Sequence, residues 1–163
     1  MSLTTIGWLF TLAVLAHNLE EALHLPAWSL RAGRVAVPVR PRVFRWAVAW
    51  LSLGFVAVTA AASVSAPASL GAYLMAGYVL AMVLNVFVPH LAASALTRSY
   101  MPGTGTALLL NLPLGRRYLH RAVASQSITL PTFYWAGPLV VLGIAGVLPA
   151  LFALGRKRYP AAV

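Results

Sequence analysis

Residues Thr4 to Leu25 read TTIGWLFTLAVLAHNLEEALHL. The stretch is long enough for a membrane helix, since a bilayer core takes about 20 mostly apolar residues per helical span. Yet its second half holds His17, Asn18, Glu20, Glu21 and His24. No basic residue precedes it and no small-residue cleavage site lies within it, so it reads as a retained helix and not a signal peptide. Glu20 and Glu21 are the only two acidic residues of the chain.

Outward from this stretch, composition agrees with a membrane solvent. Of 163 residues, 61% are hydrophobic and 9% charged, against about 25% charged in a soluble domain. Twelve basic residues against two acidic ones give a net charge of +10. The basic residues sit at the ends of apolar stretches, which points to the lipid bilayer and its anionic lipids; nucleic acid has no supporting motif. The absence of cysteine excludes disulfides, thiolate metal sites and a cysteine nucleophile. The expectation is an all-α polytopic bundle, a single transmembrane domain over residues 1–163, with no internal repeat and with oligomers left open.

Pro26 and Trp28 are expected to stop the first span. A basic, proline-broken loop follows from Trp28 to Arg45, with Arg31, Arg34, Arg40, Arg42 and Arg45. The positive-inside rule makes this loop cytoplasmic and places the amino terminus outside. Trp46 to about Ala66 is a second span, Ala66-Pro67-Ala68-Ser69 an uncharged turn, and Leu70 to about Thr97 a third span ending at Arg98.

Gly103 to Gly115 is only about 20 Å long as a helix and precedes Arg116, Arg117 and Arg121. If it crosses through a kink at Pro113, there are five spans, the last from Ile128 to Leu154; if it is re-entrant, there are four. Either way nine basic residues face the cytoplasm and three do not, so charge does not separate them. Five spans are preferred because Trp8, Tyr73, Tyr134 and Trp135 then form an outer aromatic belt, with Trp28, Trp46, Tyr100 and Tyr159 as the inner one.

A charged side chain near the middle of a membrane helix costs about 2.5 to 3.5 kcal/mol on insertion scales, so adjacent glutamates need compensation. Protonation, a cation, or an ion pair with Arg45 or Arg98 would supply it. Helical steps of three and four put His17, Glu20, Glu21 and His24 along one face. The register is close to an H-x-x-E-H zinc helix with Glu21 in place of the second His. His17 and Glu21 are then ligands and Glu20 the base that activates a bound water.

A zinc site needs a third protein ligand and an open fourth position. His90 is the candidate, because Glu20, Glu21, Asn85 and His90 all fall roughly 22 to 30 Å along their helices from one face. Pro89 should bend that helix. His24 is a reserve ligand, and Asn85 or the Thr104 region would polarise the substrate, with Thr104 also able to cap the next helix. His120 reads as part of a headgroup-binding surface and Asn111 as a helix-to-helix hydrogen bonder. Gly54, Gly71 and Gly77 read as close helix packing.

With these residues the chain resembles the HXXEE family of small bacterial integral membrane proteins. His17, Glu20 and Glu21 match its name motif. Asn85, His90 and Tyr100-Met101-Pro102-Gly103 match its later Asn, His and Tyr-x-Pro-Gly features. The resemblance runs from the first span to the kinked fourth. It implies a multi-pass protein of the bacterial cytoplasmic membrane with an intramembrane polar site, and no particular substrate. The double Glu of CAAX-type intramembrane proteases is not a match, because Leu25 stands where their E-E-x-x-x-R pattern requires Arg.

The expected function is a metal-dependent hydrolase, with zinc and with iron as the other candidate metal, cleaving an amide or ester in a membrane-soluble or membrane-associated substrate. A proton- or cation-coupled transporter or channel using the Glu pair is the alternative from another class. A di-iron oxidase is a further one, weakened by the lack of carboxylates on other helices, and an inert accessory subunit is the last.

Overall fold

The first helix opens on Ser2, whose hydroxyl accepts a hydrogen bond from the Thr5 amide at 3.0 Å, satisfying one of the free N–H groups of a helix start. A computed structural model describes residues 1–160. Five helical rods follow one another up and down: α1 (Leu3–Ser29), α2 (Pro41–Ser63), α3 (Leu70–Thr97), α4 (residues 104–124) and α5 (Leu130–Arg158). No strand occurs among the described residues. α2, α3 and α5 are each long and apolar enough to cross a membrane, and the chain is an all-α membrane bundle. Residues 161–163 of the expected domain lie outside the described residues.

Contrary to expectation, Pro26 does not end α1, which continues to Ser29. A proline inside a helix strips the carbonyl four residues earlier of its partner. Here that carbonyl, of Ala22, accepts instead from Arg45 Nε at 3.0 Å. The connecting loop is also shorter than expected. The Ser29 hydroxyl donates to the Pro26 carbonyl at 2.8 Å and accepts from the Val39 amide at 3.1 Å, folding the loop back on the helix end. α2 then starts at Pro41, five residues before Trp46, because proline is preorganised for the first helical position.

α3 starts behind the Ser69 cap and breaks at Val88, whose backbone is extended (φ −132°, ψ 115°), inside a π-helical turn over Val86–Leu91. α4 has its own π-helical turn, Ala107–Asn111, immediately before Leu112 and Pro113. The wider turn takes up the proline that was expected to kink this helix.

The path of α4 follows from its contacts with α1 and α3. A Cβ on Gly115 would meet Val83 and Phe10, and Tyr118 lies against Gly7. Past the end of α4, the Ser127 carbonyl accepts from the Ala68 amide at 3.0 Å and the Thr129 amide donates to Tyr73 Oη at 3.1 Å. α4 therefore runs antiparallel to α1 and ends where α3 begins, giving five rods among the described residues.

The main core lies between α1, α2, α3 and α4, around Ile6, Phe10, Val14, Phe55, Met75 and Val79. α5 is peripheral. It packs Val140 against Gly77 and Phe152 against Phe44, and only Ala136, Gly137 and Gly155 of its residues are buried. Gly77 is a close helix contact as expected, whereas Gly54 has nothing within 4 Å of a would-be Cβ and faces an open groove. Trp28 is no belt residue either. It is buried against Ala32, Ala93 and Met101, with its indole N–H donating to Ser99 Oγ at 3.3 Å.

Candidate metal centre

One helical turn of α1 separates His17 from Glu21, so both side chains leave the same face. The broken segment of α3 brings His90 against them from across the bundle. The ligand atoms of His17, Glu21 and His90 all lie within 4.8 Å of one another. Glu21 Oε1 is 3.3 Å from His90 Nε2 and 3.8 Å from His17 Nε2. The two imidazoles stand edge to face, centroids 4.8 Å apart at 80°. Both histidines are fully buried, and the Glu21 side chain keeps 16% of its surface exposed.

His17 is held in one tautomer. Its Nδ1 lies 3.1 Å from the Gly103 carbonyl oxygen and 3.1 Å from Thr106 Oγ1. A carbonyl only accepts, so Nδ1 carries the proton and the Nε2 lone pair is presented to Glu21. A hydrogen bond of this kind, from the far ring nitrogen to a backbone carbonyl, is how metal-ligating histidines are oriented. Asn85 Nδ2 sits 3.4 Å from the same Nε2, at the edge of the cluster.

His90 is the anomaly that gives the cluster its meaning. Neither of its ring nitrogens has a hydrogen-bond partner, although every imidazole carries at least one N–H. An unsatisfied buried polar group costs about 1 to 3 kcal/mol. A cation shared with Glu21 and His17 would engage Nε2. Two imidazoles and one carboxylate are a zinc donor set and equally the facial set of non-haem iron, so the residues present fit a divalent metal.

Glu20 faces the other way. One of its oxygens accepts from the Tyr100 hydroxyl and, at 2.9 Å, from the Gly103 amide; the other accepts from the Thr106 hydroxyl at 2.8 Å. Such charge-assisted bonds are roughly twice as strong as neutral ones. The expected base is thus outside the converging trio and acts as the clasp of the 100–106 loop. Neither glutamate pairs with Arg45 or Arg98 among the described residues. Tyr100 also accepts from the Gly105 amide at 2.9 Å, and burial together with Glu20 pushes its phenol above the usual range.

Gly103 makes this packing possible. Its φ of 93° is in the left-handed region, and a Cβ there would lie 2.6 Å from His90 Cε1, 2.8 Å from His17 Cε1 and 3.1 Å from Glu21 Cγ. It touches all three candidate ligands, and no residue with a side chain fits.

Several expected residues fall elsewhere. Thr104 neither caps α4 nor reaches the cluster, because its hydroxyl donates to the Met101 carbonyl at 2.7 Å and contacts Ser94 Oγ at 3.0 Å. Its place is taken by Thr106, which sequence reading missed. The available signal was spacing: Thr106 stands three residues after Gly103, on the same helical face. His24 is exposed and outside the trio. His120 is exposed beside Arg116, Arg117 and Arg121 on α4. Asn111 is fully buried with no partner for its amide, so it is not the interhelical hydrogen bonder expected.

Among known proteins, the chain is similar to the uncharacterized protein YrkK of Bacillus subtilis (strain 168), at 29% identity over 152 residues that cover 93% of this chain and 96% of that one. No solved structure matches. The family described as proteins of unknown function with an HXXEE motif matches residues 8–118. That span, from Trp8 in α1 to Tyr118 in α4, contains His17, Glu21, His90 and the loop that clasps Glu20, and the chain belongs to the HXXEE family.

Proposed function

We propose that the chain is an intramembrane metal-dependent enzyme, a zinc hydrolase that cleaves an amide or ester in a membrane-soluble substrate. The observation that carries this reading is His90: fully buried, without a partner for either ring nitrogen, and aimed with its Nε2 at a carboxylate oxygen 3.3 Å away. His17 Nε2, Glu21 Oε1 and His90 Nε2 would hold the ion. When bound, a divalent cation in such a set polarises a carbonyl and supplies a nucleophilic water at neutral pH.

The chain's own residues would do the rest. Gly103 and Thr106 fix the His17 ring through Nδ1, and Glu20 fixes Gly103 and Thr106 in turn. Asn85 Nδ2, beside His17 Nε2, is placed to donate to a substrate oxygen. The partly exposed Glu21 marks the side from which substrate and water arrive. Apolar helices around the centre favour a substrate with a hydrocarbon chain over a charged one. We place the protein in the bacterial cytoplasmic membrane with its amino terminus outside, on the charge of the 30–40 loop and the tail, which puts the centre in the inner-leaflet half.

The test is elemental mass spectrometry on detergent-purified protein made without chelator, beside His17→Ala and Glu21→Gln, followed by a panel of fatty-acyl esters and amides. About one zinc per chain, absent from both variants, with chelator-sensitive cleavage of one panel member, is the expected result. Iron in the same stoichiometry would move the reading to oxidation, for which the same donor set is known. Metal-free protein that loads neither ion would overturn it.

A further inference from the structure

We infer that the bundle end formed by the end of the 30–40 loop, the start of α2 and the end of α5 is a binding site for one two-chain anionic phospholipid, with its phosphate among Arg40, Arg42, Arg45 and Arg158. A cavity of about 680 Å³ lies between these four arginines and Tyr159. Arg158 is seated by its own neighbour, with its guanidinium carbon 5.8 Å from the Tyr159 ring centre.

The charge there is uncompensated by any acidic side chain. The chain has two such carboxylates, and both lie at the candidate metal centre, Glu20 bonded to Tyr100 and Thr106 and Glu21 beside the His17 and His90 rings. Arg45 gives one N–H to the Ala22 carbonyl. Four guanidinium groups around one cavity repel one another, and an anion among them removes that repulsion. The planar fork of arginine suits phosphate oxygens in particular.

Two apolar clefts meet this cavity at Arg40, which lines all three. One, of about 330 Å³, runs between α2 and α5 past Val43, Pro149 and Phe152, with Arg156 also in its wall. The other, of about 390 Å³, runs along the end of α1 past Leu23, Ala27 and Leu30. A polar, cationic chamber with two apolar clefts leaving it has the shape of a diacyl phospholipid and not of a free phosphate ion. Among the described residues no carboxylate lines the cavity to receive the ammonium of a zwitterionic headgroup, and the Tyr159 ring already faces the Arg158 guanidinium, so the lipid is anionic.

Native mass spectrometry of the full chain in detergent tests this with dioleoyl-phosphatidylglycerol, dioleoyl-phosphatidylcholine and glycerol phosphate. The paired variants are Arg42→Ala with Arg158→Ala, and, as the control of equal charge at the other end, Arg116→Ala with Arg117→Ala. Phosphatidylglycerol should be retained over phosphatidylcholine, and its retention should fall about 25-fold in the first pair at roughly five-fold per arginine, with the control unchanged and glycerol phosphate unable to displace it. If the first pair does not fold, Arg158→Gln alone should show the five-fold loss. Equal retention of both lipids, equal loss in both pairs, or displacement by glycerol phosphate would overturn the assignment, the last by leaving a bare phosphate pocket.

Discussion

The carbonyl oxygen of Gly103 and Nδ1 of His17 are 3.1 Å apart, and the same glycine gives its amide to Glu20 at 2.9 Å. One residue of the 100–106 loop thereby fixes both a candidate ligand and the neighbouring glutamate of the name motif. Gly103→Ala would add a methyl group 2.6 Å from His90 and 2.8 Å from His17, at a φ of 93°. The expected outcome is a destabilisation of about 1 to 3 kcal/mol, the usual scale of backbone strain, together with loss of bound metal. Denaturation in detergent and elemental analysis on the same preparation measure both; an alanine variant with full metal content would place Gly103 outside the centre.

His90 offers a sharper comparison, because its two nitrogens have no partner of their own. Replacing an unsatisfied buried group by an apolar one of similar size is nearly neutral or stabilising. In chelator-treated protein, His90→Leu should be at least as stable as the wild type. With metal present the order should reverse, since only the wild type gains binding energy on folding. A leucine variant that is less stable even without metal would mean that the ring has a hydrogen-bonding role in the bare protein.

The two threonines of the loop separate a hydroxyl that holds the loop from one that supports a candidate ligand. Thr106→Val removes the bonds to Glu20 and to His17 Nδ1. Metal affinity should drop about 10- to 100-fold, as when other supports of a ligating histidine are lost. Thr104→Val removes only contacts to Met101 and Ser94, and should leave metal affinity within about two-fold while costing about 1 kcal/mol of stability. Isothermal titration with zinc on both variants reads the difference.

Much of this arrangement was legible in the sequence, for identifiable reasons. His17, Glu21 and His90 could be placed together because helical rise converts position into depth, and one face follows from steps of three and four. The loop escaped the same logic. Whether Thr104 or Thr106 turns inward depends on where α4 begins, and Gly103 sets that start with a left-handed residue that periodicity does not reveal. The role of Glu20 was hidden for a related reason, since its three donors come from a segment about 80 residues away in sequence and only tertiary packing unites them. Pro26 misled because a stop signal was read without its remedy, the guanidinium of Arg45.

The clasp should respond to alkaline pH in a definite direction. Tyr100 holds Glu20 as a neutral phenol, and partial desolvation beside that carboxylate raises its pKa above the usual value near 10. A group raised on folding contributes stability that is complete below its unfolded pKa and is lost as pH rises through the folded one. The wild type should therefore lose stability relative to Tyr100→Phe above about pH 10 and keep a constant offset from it between pH 6 and 9. Parallel curves through pH 11 would show that the phenol titrates alike in both states and does not clasp Glu20.

Arg45 and Pro26 form a pair whose coupling is predictable. Arg45→Ala removes the side-chain donor to the Ala22 carbonyl, at a cost of about 0.5 to 1.5 kcal/mol. Pro26→Ala restores an N–H that reaches the same carbonyl through the ordinary helical bond. In that background the arginine substitution should cost less, by about 1 kcal/mol. A double-mutant cycle on thermal stability in detergent measures the coupling. Additive costs would mean that Arg45 contributes through the charge around the cavity at the start of α2 and the end of α5, and that α1 passes Pro26 without its help.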